Sequence, residues 1–292
     1  MQHILCVRPA SFGGISIKNK SFELKEFGLI KYFICKELSD TDLVVNAFTT
    51  RKGGISRKPF DSLNLAYNVG DKEREVTENR KLILEALGIN YPAVVAAQQV
   101  HQDRISLVKK EDKGKGAFKY SPGIPQSDAL ITNVPGIPLL MCYADCVPIF
   151  ILDPVKKAIA LIHSGRRGTE LEITLKTLNQ MQKAFGTDPS CCLAAIFPSI
   201  GPCCYRFKDL DKIDDYWVSQ NNFLPEEISA LKEKGQGLDL KKAIYRQLIK
   251  VGVKEKNISR SEICTADHSE LFFSYRRDKG HTGRMAAIFM LK

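Results

Sequence analysis

The chain has 292 residues, 44% of them apolar and 26% charged, with a formal net charge of +10. This composition supports a packed core and excludes a disordered chain, while the positive excess favours anionic partners, a small phosphate-bearing substrate as readily as nucleic acid. The longest apolar region, 137–152, is interrupted by Asp145 and two prolines, so no membrane span is expected.

Residues 1–42 show weak periodicity and read as an irregular or short-stranded start, packed on the same domain as the rest. Leu43 to Thr49 is a β-branched run and reads as a strand that delivers a basic, glycine-bearing loop at Arg51. Asp71 to Gly88 reads as a helix with Val76, Ile83, Leu84 and Leu87 on one face and Gly88 where a C-terminal cap belongs. Ala93 to Val100 reads as a strand that ends at His101, with Ile105 to Val108 as its hairpin partner. The Lys- and Gly-rich stretch from Lys109 to Gly123 reads as a solvated loop. Short apolar segments follow at Ala129–Thr132, Pro138–Tyr143 and Val147–Leu152, then a strand from Ala158 to Ile162 that ends at His163. Thr169 to Phe185 reads as one helix, with Leu171, Leu175, Leu178 and Phe185 on a face and capping-box spacing between Thr169 and Glu172. Ala194–Ile200 reads as a strand, Pro225–Lys234 and Asp239–Val251 as helices, and Leu271–Tyr275 and Met285–Leu291 as strands. Strands and helices mix without β-α alternation, no repeat or linker is visible, and neither GxGxxG nor a Walker motif occurs. The fold class expected is therefore α/β (α+β), a single domain with a mixed sheet.

Nine cysteines, an odd number without C-x-x-C spacing, exclude a secreted disulfide framework and a zinc ribbon. No N-terminal secretory pattern is visible, and a cytoplasmic location is expected. Five histidines are too few for a true multicopper oxidase, so any metal site is small and copper is disfavoured. His101, Cys146 and His163 each close or flank an apolar run. Two imidazoles and one thiolate suit Zn2+ with a fourth position open, and they equally suit a Cys146–His nucleophile pair. The segment His163-Ser164-Gly165-Arg166-Arg167-Gly168 runs into the expected helix and reads either as an anion site or as a tight turn. Cys142 reads as a core residue, His3 and His281 are not assigned to the metal, and His268 is a weaker candidate. His101-Gln102-Asp103 is not the H-x-E of zinc deaminases.

The segments TTRKGGIS, FDSLNLAYNVGD, QQVHQD, SDALIT, YADCVPIFILD, HSGRRG, IGPCCYRF and FFSYRRDKGHTGR, in this order from about residue 43 to the end, resemble the YfiH/YlmD-like family. These are the laccase-domain or polyphenol oxidase proteins, of the purine nucleoside phosphorylase and peptidoglycan editing factor type. The resemblance implies a single-domain, CNF/YfiH-like mixed β-sandwich flanked by helices, over residues 43–292, after an N-terminal segment of residues 1–42. It implies zinc on His101, Cys146 and His163, and phosphorolysis of adenosine, inosine, guanosine or methylthioadenosine, with adenosine deamination beside it. The family's usual HAGWRG is HSGRRG here, so Arg166 stands for the tryptophan and Ser164 for the alanine. That change removes a stacking surface and adds a cation.

On this reading Arg51, Arg167 and Arg277 hold phosphate, Asn64 contacts ribose or base, and Asp145 supports the metal or accepts a proton. The partners are a purine nucleoside and phosphate, with no membrane and with nucleic acid disfavoured, in a monomer or homodimer. The rival reading is an amide hydrolase that uses Cys146 as nucleophile, linked to cell-wall peptide editing.

Overall fold

Val147–Asp153 and Ala158–Ser164 are apolar runs without polar alternation, the pattern of strands covered on both faces, and every residue in both is buried. They form an antiparallel hairpin at the centre of the second of two six-stranded sheets. The computed structural model describes residues 21–206 and 237–292. Among these, the strands in chain order are β1 (Phe22–Phe27), β2 (Ile30–Cys35), β3 (Val44–Thr49), β4 (Val95–Ala96), β5 (Ile105–Leu107), β6 (Ala129–Thr132), β7 (Leu139–Tyr143), β8 (Val147–Asp153), β9 (Ala158–Ser164), β10 (Leu193–Ile196), β11 (Ile258–Arg260) and β12 (Met285–Leu291). The α-helices are α1 (Lys36–Ser39), α2 (Glu73–Ala86), α3 (Arg166–Glu170), α4 (Ile173–Phe185) and α5 (Leu240–Lys250).

The first sheet has the order β1-β2-β3-β12-β7-β4 and the second β11-β10-β8-β9-β6-β5. Each is antiparallel except at an edge: β4 pairs β7 in parallel, and β5 and β11 pair β6 and β10 in parallel. Phe33, Phe48, Met141 and Phe289 from the first sheet meet Leu130, Phe150, Leu152 and Leu161 from the second in one buried core. Packed aromatic rings, such as Phe150 tilted against Phe289 at 4.9 Å, fill it. Helix α2 covers the outer face of the first sheet with Ile83 and Leu84, and α4 and α5 cover that of the second with Leu178, Met181, Ile244 and Leu248. The protein is thus a mixed β-sandwich flanked by helices.

Two chain crossings position the site. Residues 97–104 pass from β4 in the first sheet to β5 in the second and carry His101. Residues 144–146 pass from β7 to β8 and carry Cys146. In the β8–β9 register Pro148 faces His163 and Val147 faces Ser164, so Cys146 lies beside the end of β9.

Several expectations change. Ile105–Leu107 does not form a hairpin with the strand before His101; it pairs in parallel with β6, because the intervening chain has changed sheets. The helix expected from Thr169 to Phe185 is broken at Glu172, whose φ is +55°, and Thr169 is no cap. Its hydroxyl donates back to the Gly165 carbonyl within α3 at 2.8 Å. The buried face of α4 is accordingly Ile173, Thr174, Thr177, Leu178 and Met181. Leu271–Tyr275 is buried at Phe272 and Phe273 yet forms no strand. Residues 22–35 form a regular hairpin at the edge of the first sheet. The helix expected at Pro225–Lys234 lies outside the described residues. Helix α5 has Asp239 as its cap, accepting from the Lys242 amide at 3.0 Å.

Candidate metal centre

His101, Cys146 and His163 converge where the chain crosses between the sheets. Their donor atoms all lie within 4.8 Å of one another, with His101 exposed, Cys146 half-buried and His163 buried. The two imidazole rings stand perpendicular, at 85°, with centroids 4.8 Å apart. His101 has φ +59° and Asp145 has φ +85°, so two non-glycine residues adopt left-handed backbone at this one place. Gly165 closes over the sulfur: a Cβ there would stand 2.9 Å from Cys146 Sγ and 3.6 Å from His101 Cδ2. Only a residue without a side chain leaves the three donors room to meet.

Asp128, which sequence reasoning did not assign, organises the centre. His163 Nδ1 donates to its Oδ1 at 2.8 Å, with both side chains buried. The backbone amides of Val100, His101 and Gln102 also donate to this carboxylate, at 3.1, 3.0 and 2.9 Å. One carboxylate therefore orients one imidazole and shapes the loop that presents the other, turning the remaining ring nitrogen of His163 toward Cys146. Its signal in the sequence was its place in the SDALIT segment.

Electrostatics favour a thiolate on Cys146 and a proton on His163, a proton that metal binding would displace. Burial pushes the Cys146 thiol up, but the His163 and His101 imidazoles outweigh it and lower the thiol to about 6. Burial pushes His163 down, while Cys146 and Asp128 raise it to about 9. Burial likewise opposes ionisation of Asp128, and His163 with the loop amides holds it below its ordinary value. A thiolate and imidazoles, within tetrahedral reach, are the donor set of a three-ligand zinc site with an open fourth position.

The remaining expected site residues divide differently. Asp145 does not turn to the cluster: its carboxylate accepts from Thr265 Oγ1 at 2.7 Å, Ser274 Oγ at 2.9 Å and the Arg276 amide at 2.7 Å. It ties three loops together. Asn64 is fully buried and spends its amide on Ala66, Asp71 and Arg284, which leaves no surface for ribose or base. Arg277 is a strut, with two bonds to Asp278 at 2.8 and 2.9 Å and others to the carbonyls of Thr265, Ala266 and Phe272. Arg51 is braced by the Asp61 carbonyl and carboxylate and lies over the Phe273 ring at 4.6 Å. Arg167 is exposed and, like Arg166, pairs with the buried Glu170. The helix they open has only five residues.

Other cations border the centre. Tyr205 feels Cys146, Arg166 and Arg276 together, and the Arg276 guanidinium lies 4.8 Å over its ring. Arg284, partly buried, lies within electrostatic reach of Cys146 and Asp145. Ser164 is buried and its hydroxyl bonds Thr169 Oγ1 at 2.8 Å, which explains a polar residue there. Among the described residues one other group of metal-type side chains comes together, Cys203, Cys204, Cys264 and Asp267. No helix among the described residues is long and apolar enough to cross a membrane.

The fold has solved relatives. The structure of YlmD from Geobacillus stearothermophilus superposes with a TM-score of 0.84 at 36% identity, covering 92% of this chain and 98% of that one. The Bacillus licheniformis hypothetical protein YfiH gives 0.83 at 36% identity, covering 89% and 96%. The family model described as multi-copper polyphenol oxidoreductase laccase matches residues 45–292. The Bacillus subtilis protein named purine nucleoside phosphorylase YlmD is 36% identical over 251 residues, 85% of this chain and 89% of its own length. Its Geobacillus stearothermophilus counterpart of the same name is 39% identical over 249 residues, 84% and 89% respectively. The chain belongs to this laccase-like family of YfiH/YlmD proteins.

Proposed function

We propose that the chain is a zinc-dependent purine nucleoside phosphorylase acting on adenosine, inosine or guanosine, with methylthioadenosine as a further substrate and adenosine deamination as a side activity. The observation that carries this reading is the convergence of His101, Cys146 and His163 under Gly165, with Asp128 holding His163 from behind. The names of the similar YlmD proteins support the substrate class. Copper is the poorer reading because five histidines in the whole chain are too few for a multicopper oxidase. We assign the catalytic domain to residues 43–292 with residues 22–42 joined to it through the edge of the first sheet, acting in the cytoplasm as a monomer or homodimer.

Zinc held by the three donors supplies Lewis-acid stabilisation of charge developing on the substrate. The other work falls to the chain itself. Phosphate must be bound, stripped of water and aimed at C1′, where its oxygen forms a bond as the C1′–N9 bond breaks and the purine leaves. Arg166, Arg276 and Arg284 place positive charge around the centre to hold that anion. Tyr205, packed under Arg276, presents an aromatic ring within electrostatic reach of Cys146 and Arg166. Asp145 and Arg277 keep the loops 264–267 and 274–278 in position. Asp128 fixes the rotamer of His163.

A second reading is favoured by the opposite shifts of Cys146 and His163, which without metal make a thiolate–imidazolium pair. Such a pair suits a Cys146 nucleophile attacking an amide, as in a cell-wall peptide. The two separate in paired assays, adenosine or inosine with phosphate and a cell-wall peptide, each followed by chromatography, with and without chelator and for Cys146→Ala. Free base and ribose 1-phosphate, lost on chelation, support the phosphorylase. Amide hydrolysis that survives chelation and stops on alkylation of Cys146 supports the hydrolase.

A further inference from the structure

We propose that Cys203, Cys204, Cys264 and Asp267 form a second metal site, distinct in its ligands from the first, that binds a thiophilic divalent ion of the zinc class and staples two loops together. The residues come from the segments 201–206 and 264–267, which sequence separates widely and the fold brings together. Their three sulfurs and the carboxylate lie within 4.8 Å of one another. A tetrahedral zinc with Zn–S of about 2.3 Å needs sulfurs about 3.8 Å apart, so only small side-chain adjustments are required. Three thiolates and one carboxylate are a soft donor set with a single hard oxygen, which suits zinc and disfavours calcium or magnesium.

Two polar groups approach the Cys264 sulfur, while burial and Asp267 push the Cys203 and Cys204 thiols up. The Gly201 amide donates to Cys264 Sγ at 3.2 Å. Gly201 also makes room: a Cβ there would meet Cys203 Sγ at 3.2 Å and Cys264 Cβ at 3.3 Å. Lys241, buried and bonded to the Ile263 carbonyl at 3.1 Å, lies within electrostatic reach of Cys264. Without a cation the cluster keeps its protons: Cys203 and Cys204 donate to the two oxygens of Asp267 at 2.9 and 2.8 Å. Metal binding replaces those thiol protons, releasing them to solvent, and gives every donor one shared partner.

The place of the cluster gives it a purpose. Ser199 bridges to Cys264, the Ile200 amide donates to the Asp145 carbonyl, and Thr265, next to Cys264, donates to the Asp145 carboxylate. A metal across these loops therefore fixes the walls beside Cys146 without touching the triad.

The test is metal content after reloading. Protein stripped by chelator under reductant is loaded with zinc, desalted and analysed for zinc per chain, alongside Cys146→Ser, Cys203→Ser and Asp267→Asn. Cys203 is exposed, so its serine variant spares the core, and circular dichroism verifies each fold. Wild type should hold two equivalents, and Cys146→Ser and Cys203→Ser one each. Cobalt loaded into Cys146→Ser should show thiolate-to-metal charge-transfer absorption that is lost when Cys203→Ser and Cys264→Ser are added. A single equivalent in wild type that vanishes in Cys146→Ser, with no cobalt–thiolate band in that variant, overturns the second site. A disulfide joining Cys264 to Cys203 or Cys204 in protein purified under reductant overturns it too. One equivalent kept in Cys146→Ser but lost in Cys203→Ser upholds this site while refuting zinc on the triad.

Discussion

Asp128 and His163 are joined by a 2.8 Å hydrogen bond in which both side chains are buried, and the same carboxylate takes three amides of the loop that carries His101. Two ligands, one on a strand and one on the loop that crosses between the sheets, thus depend on one acidic group. Removing its charge loosens both.

Asp128→Asn should weaken zinc binding by about 10- to 100-fold, the usual effect of losing the partner that orients a ligating imidazole. A competition titration against a chromogenic chelator measures it. Affinity equal to wild type in a folded variant would show that Asp128 serves the loop alone.

Gly165→Ala should abolish or severely weaken metal binding while leaving the sandwich folded. Its Cβ would stand 2.9 Å from Cys146 Sγ, closer than such contacts allow. Overpacking of this kind carries a penalty of about 1–3 kcal/mol, to be read from denaturant unfolding. Unchanged zinc content would mean that the cradle opens easily.

The pH dependence of the chelated protein follows from the opposite shifts. Cys146 is lowered to about 6, so its contribution to stability is lost as pH falls through that value. His163 is raised to about 9, so its contribution is lost as pH rises through that value. The melting temperature should therefore be highest between the two, and alkylation of Cys146 by iodoacetamide should set in near the lower one as a property of the pair. Alkylation that begins only near the ordinary thiol value would contradict the pairing.

Arg277→Lys should lower stability by about 1.5–3 kcal/mol through lost hydrogen bonds to a charged group, with the KM for phosphate nearly unchanged. The guanidinium is committed to Asp278 and three carbonyls. A raised phosphate KM at wild-type melting temperature would restore Arg277 as a phosphate ligand.

Legibility in the sequence tracked locality. β8, β9 and β12 announce themselves because burial on both faces leaves long apolar runs, and Asp239 and Gly88 mark helix ends by their own chemistry. The triad was visible because each ligand follows such a run. The pairing of Ile105 was not, since local alternation says nothing about which sheet a strand joins. Nor was the break at Glu172, which rests on a backbone turn at one residue. Arg277 and Asn64 looked like ligand contacts because charge and polarity read alike in a string, whether spent on carbonyls or on phosphate. Cys203 and Cys264 carry no local spacing at all; only the fold places them side by side.

The central claim is that zinc on His101, Cys146 and His163 serves purine nucleoside phosphorolysis. The most direct measurement is a zinc titration of stripped enzyme, following ribose 1-phosphate released from inosine in phosphate, in wild type and Cys146→Ala. The account predicts turnover that rises from nothing as zinc fills the site in wild type and stays absent in Cys146→Ala. Turnover in stripped enzyme or in Cys146→Ala, or none from zinc-loaded wild type, would contradict it.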